Sequence, residues 1–318
     1  MNRFRSFLFL LVLASTTCWA ADPALLKLLP PDPKWIAGIH ADRVRSSRFG
    51  QFVLEQLKSE EQVFERLVSS TGFDPRRDLQ EVIVASPESK SQGFSLVVAR
   101  GSFDAARIRE FARSLGLSAN LYQGVELLAS PDTSPTGCLA ILDATTALAG
   151  HPEAVKAAID RRSKDHHFDP KILAKLNDLS TRYDAWMVSA GLERLASELR
   201  PELEQTMRSP VMAGFESVVG GIRFGANVEL MAEGIMRSDK DAQALVDVMR
   251  FLTSLVQLNS ENSQAKELGS WLERMTLKAE GKEFRLLWTV PENLVEAFLR
   301  ESFASPAKSM RRPSTPVI

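Results

Sequence analysis

Beyond residue 20 this chain writes the same pattern twice. Asp22-Pro23-Ala24-Leu25-Leu26 returns as Asp169-Pro170-Lys171-Ile172-Leu173, and residues 35–44 (WIAGIHADRV) align without a gap on residues 186–195 (WMVSAGLERL). Near the end of each copy, residues 148–159 (LAGHPEAVKAAI) match residues 287–298 (LWTVPENLVEAF) in Pro-Glu and in apolar spacing. A duplicated unit must bury its apolar faces within itself or against its twin, so the repeat constrains architecture more than composition does. It carries no chemistry of its own.

Both copies predict the same order of elements. A short leading helix (residues 24–29 and 171–179) precedes a strand bearing a Trp (35–40 and 186–190). Helix follows in copy one, with Phe49, Phe52, Val53 and Leu57 at helical spacing. Ser59 with Gln62 reads as a capping box for a second segment, while copy two has residues 192–207 there, broken by Pro201. Two strands come next: 79–85 and 95–101 in one copy, 215–221 and 228–234 in the other. An amphipathic helix then buries Ile108, Phe111, Ala112 and Leu115, or Leu245, Val248, Met249, Leu252 and Leu255. A hairpin (138–142 with 146–150; 275–279 with 284–290) and a helix opened by Pro152 or Pro291 close each unit. Copy one adds a hairpin around Gln123-Gly124.

The order β-α-β-β-α-β-β-α, twice, predicts an α+β fold: mainly antiparallel sheet with helices packed on one face, similar to split β-α-β sandwiches. Residues 164–169 (KDHHFD) read as a polar linker, which makes 21–164 and 165–304 the repeats and leaves 305–318 as a disordered Pro/Ser tail. Spacing is compatible with one shared sheet or with two.

Residues 1–20 read as a secretory signal peptide. Arg3 and Arg5 supply the basic start, residues 7–14 (FLFLLVLA) the apolar stretch, and Cys18-Trp19-Ala20 a cleavage site. That stretch is well short of the ~20 residues a membrane span needs. Lipidation at Cys18 is the competing reading, disfavoured by the bulk of Thr17. Of the 39 Lys and Arg, two leave with the leader, so 37 face 40 acids, a formal −3 that gives nucleic acid nothing to bind. Cys138 is then the only cysteine, so no internal disulfide forms and packing supplies the stability.

Few residues invite chemistry. His40 and Asp42, at the exit of the first strand, have the spacing of an acid–base pair or of two ligands; the plainer reading is a turn residue and a helix-capping Asp. The second copy has Gly191 opposite His40 but keeps an acid and the Arg as Glu193 and Arg194, which favours the plainer reading. His166 and His167, with His151 upstream, suggest a metal cluster, but adjacent side chains in a linker converge poorly on one ion. Cys138 opens an apolar strand and reads as a buried, inert thiol. Arg76 and Arg77 form a candidate anion clamp, or else a solvated turn behind Gly72. Phe49, Phe52, Phe64, Phe251 and Trp271 read as core rather than as a ligand groove between the copies. No cofactor motif occurs.

Residues 28–50 (LLPPDPKWIAGIHADRVRSSRFG), 71–82 (TGFDPRRDLQEV) and 99–104 (ARGSFD) resemble a group of uncharacterised exported bacterial α+β proteins with a signal peptide and an internal duplication. The resemblance implies bacterial export and carries over no catalytic residue. The expectation is an exported protein, periplasmic or extracellular, that binds rather than catalyses. Its partner would be a protein, an envelope component or an apolar ligand, and no span would stay in the membrane after cleavage. The alternative is an exported hydrolase or metal-dependent enzyme using His40 and Asp42. Limited proteolysis checks the organisation: the first cuts are expected near Lys164 and after Ser305, and first cuts inside residues 79–85 would contradict it.

Overall fold

A computed structural model describes residues 21–56, 61–86, 96–131, 137–164, 168–190, 214–258, 269 and 271–297. The first half runs α1 (Pro23–Leu26), β1 (Trp35–His40), α2 (Ala41–Ser46), α3 (Arg48–Gln56), α4 (Glu61–Thr71) and α5 (Pro75–Asp78). It continues through β2 (Leu79–Ala85), β3 (Leu96–Gly101), α6 (Ala105–Ser114), β4 (Ser118–Tyr122), β5 (Val125–Ala129), β6 (Cys138–Asp143), β7 (Thr146–Gly150) and α7 (Pro152–Arg161). The second half has α8 (Pro170–Arg182), β8 (Ala185–Ser189), β9 (Phe215–Arg223), β10 (Asn227–Met236), α9 (Asp239–Leu258), β11 (Met275–Glu280) and β12 (Glu283–Pro291). The proposed capping box at Ser59, the helix over 192–207, Glu193, Arg194, the leader and the tail lie outside the described residues.

Among the described residues, twelve strands join one antiparallel sheet, in the order β11-β12-β10-β9-β8-β1-β2-β3-β7-β6-β5-β4. Reading outward from β1 and from β8, the two halves lay down their strands in the same sequence, and the extra hairpin β4–β5 extends one edge. The two halves therefore share one sheet, joined where β1 pairs with β8. The agreement reaches a defect: an unpaired residue, Gln80 in β2 and Glu216 in β9, shifts the register against β3 and β10 at matching places.

The expected α+β class holds, with one correction: helices cover both faces of the sheet. Side chains alternate along a strand, so Cys138, Ala140 and Leu148 meet α7 through Val155, Ala158 and Ile159, while Leu139, Ile141 and Ala147 meet α6 through Ile108 and Ala112. In the second half Trp186 and Met231 join Leu176 and Leu179 of α8, whereas Leu230, Ala232 and Met236 pack under Leu245 and Val246 of α9. Strands apolar on both sides require cover on both.

The alignment of Trp35 on Trp186 is corrected as well. Ala85 and Gly221 occupy matching positions; Ile36 pairs with Ala85 and Trp186 with Gly221, so Trp186 takes the place of Ile36. A slip of one residue moves a side chain to the other face, and Trp35, opposite Ser189, lies on the face away from Trp186. Trp186 needs space on its face, and glycine supplies it. A methyl group on Gly38 would sit 2.3 Å from the Trp186 ring, and one on Gly221 2.4 Å from the Tyr183 ring. The polar linker is also anchored, since Phe168 is buried in the core and Asp169 caps α8 by accepting from the Lys171 amide at 2.7 Å.

Gly38→Ala is expected to cost about 1–3 kcal/mol in chemical denaturation while unfolding remains a single transition. A cost below ~0.5 kcal/mol would mean that the Trp186 ring does not lie on the strand as described.

Candidate functional site

At the junction of the halves, β1 ends in a buried polar cluster. His40 is 2% exposed, and its Nε2 lies 2.9 Å from the carbonyl of Ser180 on α8. Its Nδ1 lies 3.8 Å from Oε1 of Glu81 on β2, itself only 7% exposed. Glu81 Oε2 accepts from the Asp22 amide at 3.3 Å, and Oε1 has no hydrogen-bond partner. The Ala21 amide donates to Ser180 Oγ at 2.7 Å. Asp22 pairs with Arg100, which also donates to Thr145 and Thr146. Arg43 of α2 reaches the Ser180 carbonyl at 3.4 Å and lies 3.9 Å from Asp184.

At 3.8 Å, His40 and Glu81 are near enough for an ion pair, but burial presses both toward their neutral forms. Burial, then Arg43, lowers the His40 pKa; burial raises that of Glu81 to about 7. A general acid or base must touch its substrate, and this ring is enclosed by protein. Asp42 Oδ1 accepts from the Arg43 amide at 2.8 Å, while His40 meets the Ser180 carbonyl and Glu81 instead. Glu81 and Ser180 complete the cluster, and sequence reasoning missed both, because they lie on separate elements distant along the chain.

The other candidates are dispersed. His151 caps α7, with Nδ1 accepting from the Glu153 amide at 3.3 Å, while His166 and His167 lie outside the described residues. Among the described residues no cluster of three or more His, Cys, Asp or Glu is arranged to hold a metal ion. Cys138 is buried, and burial pushes its thiol up to about 11, too high for a nucleophilic thiolate at neutral pH. Arg76 and Arg77 pair with Asp74 and Asp78 at 2.9 and 2.7 Å, which leaves no open anion clamp. Phe52 and Trp271 are core, and Phe49 stacks on Phe224 at 4.6 Å, tying α3 to the second half.

Two surfaces among the described residues bear on binding. The face of the sheet beside α8 carries a groove of about 510 Å³. Ile172, Val188, Val219 and Ile235 supply its apolar lining, and Lys171, Lys175, Glu233, Glu283 and Arg285 its charges. Lys175 and Arg285 both reach Glu233, at 2.9 and 3.3 Å. On the opposite face, α9 departs from expectation. Leu245 is buried, but Val248, Leu252 and Leu255 are exposed together with Phe251 (61%) and Leu258. Among the described residues, the fully buried part of this helix is Ala242, Leu245 and Val246, in its first half. Among the described residues no helix is long and apolar enough to cross a membrane.

The acid that Glu81 becomes at neutral pH is measurable. In a chain carrying residues ahead of Ala21, native Glu81 keeps its proton to about pH 7, whereas the unfolded side chain loses it near 4.5. The native state thus binds more protons between these values, and stability falls as pH rises. His40 acts with the opposite sign, losing stability as pH drops below 6.5. Relative to Glu81→Gln, the wild-type chain is therefore expected to lose ~3 kcal/mol across that window, by denaturation at each pH. A flat difference would contradict the assignment.

No family model and no curated relative matches the chain. Among solved structures it is similar to crystal form I of TP0453, with TM-score 0.50 and 10% identity over 89% of this chain and 99% of that one. Crystal form III of TP0453 aligns with TM-score 0.49 and 9% identity over 87% and 97%. At such identity the likeness to form I is one of fold, and the fold it supports is a mixed helical and antiparallel-sheet one.

Proposed function

We propose that this is an exported, non-catalytic binding protein whose ligand is an amphipathic component of the cell envelope, held in the groove beside α8. The groove carries the reading. Its volume falls within the range of small-molecule sites, and apolar walls under a few charged groups suit a ligand with an apolar body and a polar head. Three cations, Lys171, Lys175 and Arg285, face two acids, Glu233 and Glu283, so the rim favours an acidic head group. Ile235, an apolar side chain left 44% exposed in this lining, would be covered by such a ligand. Export rests on the leader-like residues 1–20. The hydrolase alternative has little support, because His40 is enclosed and its Nε2 lies against the Ser180 carbonyl.

Native mass spectrometry of protein recovered after export tests this. Wild-type protein is expected to retain a small apolar species, and Ile235→Glu to lower its occupancy about tenfold, with Tm changed by no more than ~2 °C at this partly exposed position. An empty wild-type protein, or equal occupancy in the variant, would overturn the reading.

A further inference from the structure

The buried cluster around His40 holds an acid without a counter-charge, and the chain brings a nitrogen to it. We propose that the α-ammonium group created at Ala21 by removal of residues 1–20 is the intended partner of Glu81, so that the folded protein contains a binding site for its own processed N-terminus. The inference rests on cleavage after Ala20 and is independent of the groove.

Three observations meet here. Ala21 is completely buried, and its nitrogen donates to Ser180 Oγ at 2.7 Å. One backbone step along, the Asp22 nitrogen donates to Glu81 Oε2 at 3.3 Å, so consecutive N-terminal nitrogens face the same polar cluster. Glu81 Oε1 is buried and has no hydrogen-bond partner. A buried, unsatisfied carboxyl oxygen is costly, and an ammonium carries three donors where an amide has one. The other charged groups around Glu81 do not fill this role. Asp22 and Asp42 are acids, His40 is pressed toward neutrality, and Arg100 is engaged by Asp22, Thr145 and Thr146.

The segment is fixed in place well enough to deliver the group. Leu25, Leu26, Leu28 and Leu29 are buried, Asp22 caps α1 by accepting from the Ala24 amide at 2.8 Å, and Arg161 donates twice to the Leu28 carbonyl. Hydrolysis of the Ala20–Ala21 bond by water leaves a carboxylate on the released leader and an ammonium on Ala21. Since Ala21 is fully buried in the fold, the cut precedes folding. Folding then encloses the new terminus between α8 and β2, where it also bridges the two halves of the sheet.

The test compares the chain beginning at Ala21 with one extended by Ser-Gly-Ser, each with Glu81 and with Glu81→Gln. The extension is expected to lower Tm by roughly 5 °C when Glu81 is present, and by no more than ~1 °C in the Glu81→Gln pair. In the folded protein the Ala21 amine is expected to react with an amine reagent at least ~10-fold more slowly than in a peptide of residues 21–30. That comparison stands even if Glu81→Gln fails to fold. Equal Tm values with Glu81 present, an undiminished difference in the Glu81→Gln pair, or labelling at the peptide's rate would each overturn the proposal. So would an exported protein whose N-terminal mass shows a first residue other than Ala21.

Discussion

The antiparallel ladder between β1 and β8 is the contact on which the rest of this structure depends. Five residue pairs join the halves there, from Trp35 with Ser189 to Ile39 with Ala185. The ladder closes because Gly38 leaves room for the Trp186 ring above it, and Gly221 leaves room for Tyr183 one strand further on. Glycine weakens a strand on its own; covered by an aromatic ring, it recovers buried area and keeps the sheet continuous. Without that join, each half would expose an unpaired central strand, a surface that folded proteins avoid.

Around the ladder, long-range contacts converge from both ends of the chain. The N-terminal segment lies in the same core as α7 and α8, Phe49 stacks on Phe224, and Glu292 accepts from the Phe49 amide at 2.6 Å. The buried His40–Glu81 cluster belongs to this junction, and its chemistry is that of a structural seam. Burial presses both groups toward their neutral forms, and Glu81 Oε1 is left without a hydrogen-bond partner. Binding, by contrast, is read from the groove beside α8, where apolar sheet is left open.

Local signals carried much of the fold into the sequence. Strands β1 and β2 have their expected bounds, Asp104 caps α6 by accepting from the Ala106 and Arg107 amides, and Gly124 adopts positive φ in the hairpin expected around it. Signals that depend on cover were harder to read. Strands β5 to β7 are apolar on both sides, which disclosed burial but not the second helical layer. The two Trp residues aligned by identity although the pleat sets them on opposite faces, since one residue of slip is invisible to apolar similarity. In α9 the apolar period continues past the buried Leu245 and Val246 into Val248, Leu252 and Leu255, which are exposed, so periodicity overstated the core. Of the cluster, only His40 stood out in sequence. Its partners Glu81, Ser180 and Ala21 come from three distant segments, and no local spacing links them.

Native-state hydrogen exchange tests most directly whether the halves form one cooperative body through this seam. Amides of β1 and β8 are expected to exchange only through global unfolding, at the same opening free energy as those of β7 and β10. If either half exchanged at a distinctly lower free energy while the other stayed protected, the halves would be opening separately, and the β1–β8 seam would not hold them as one body.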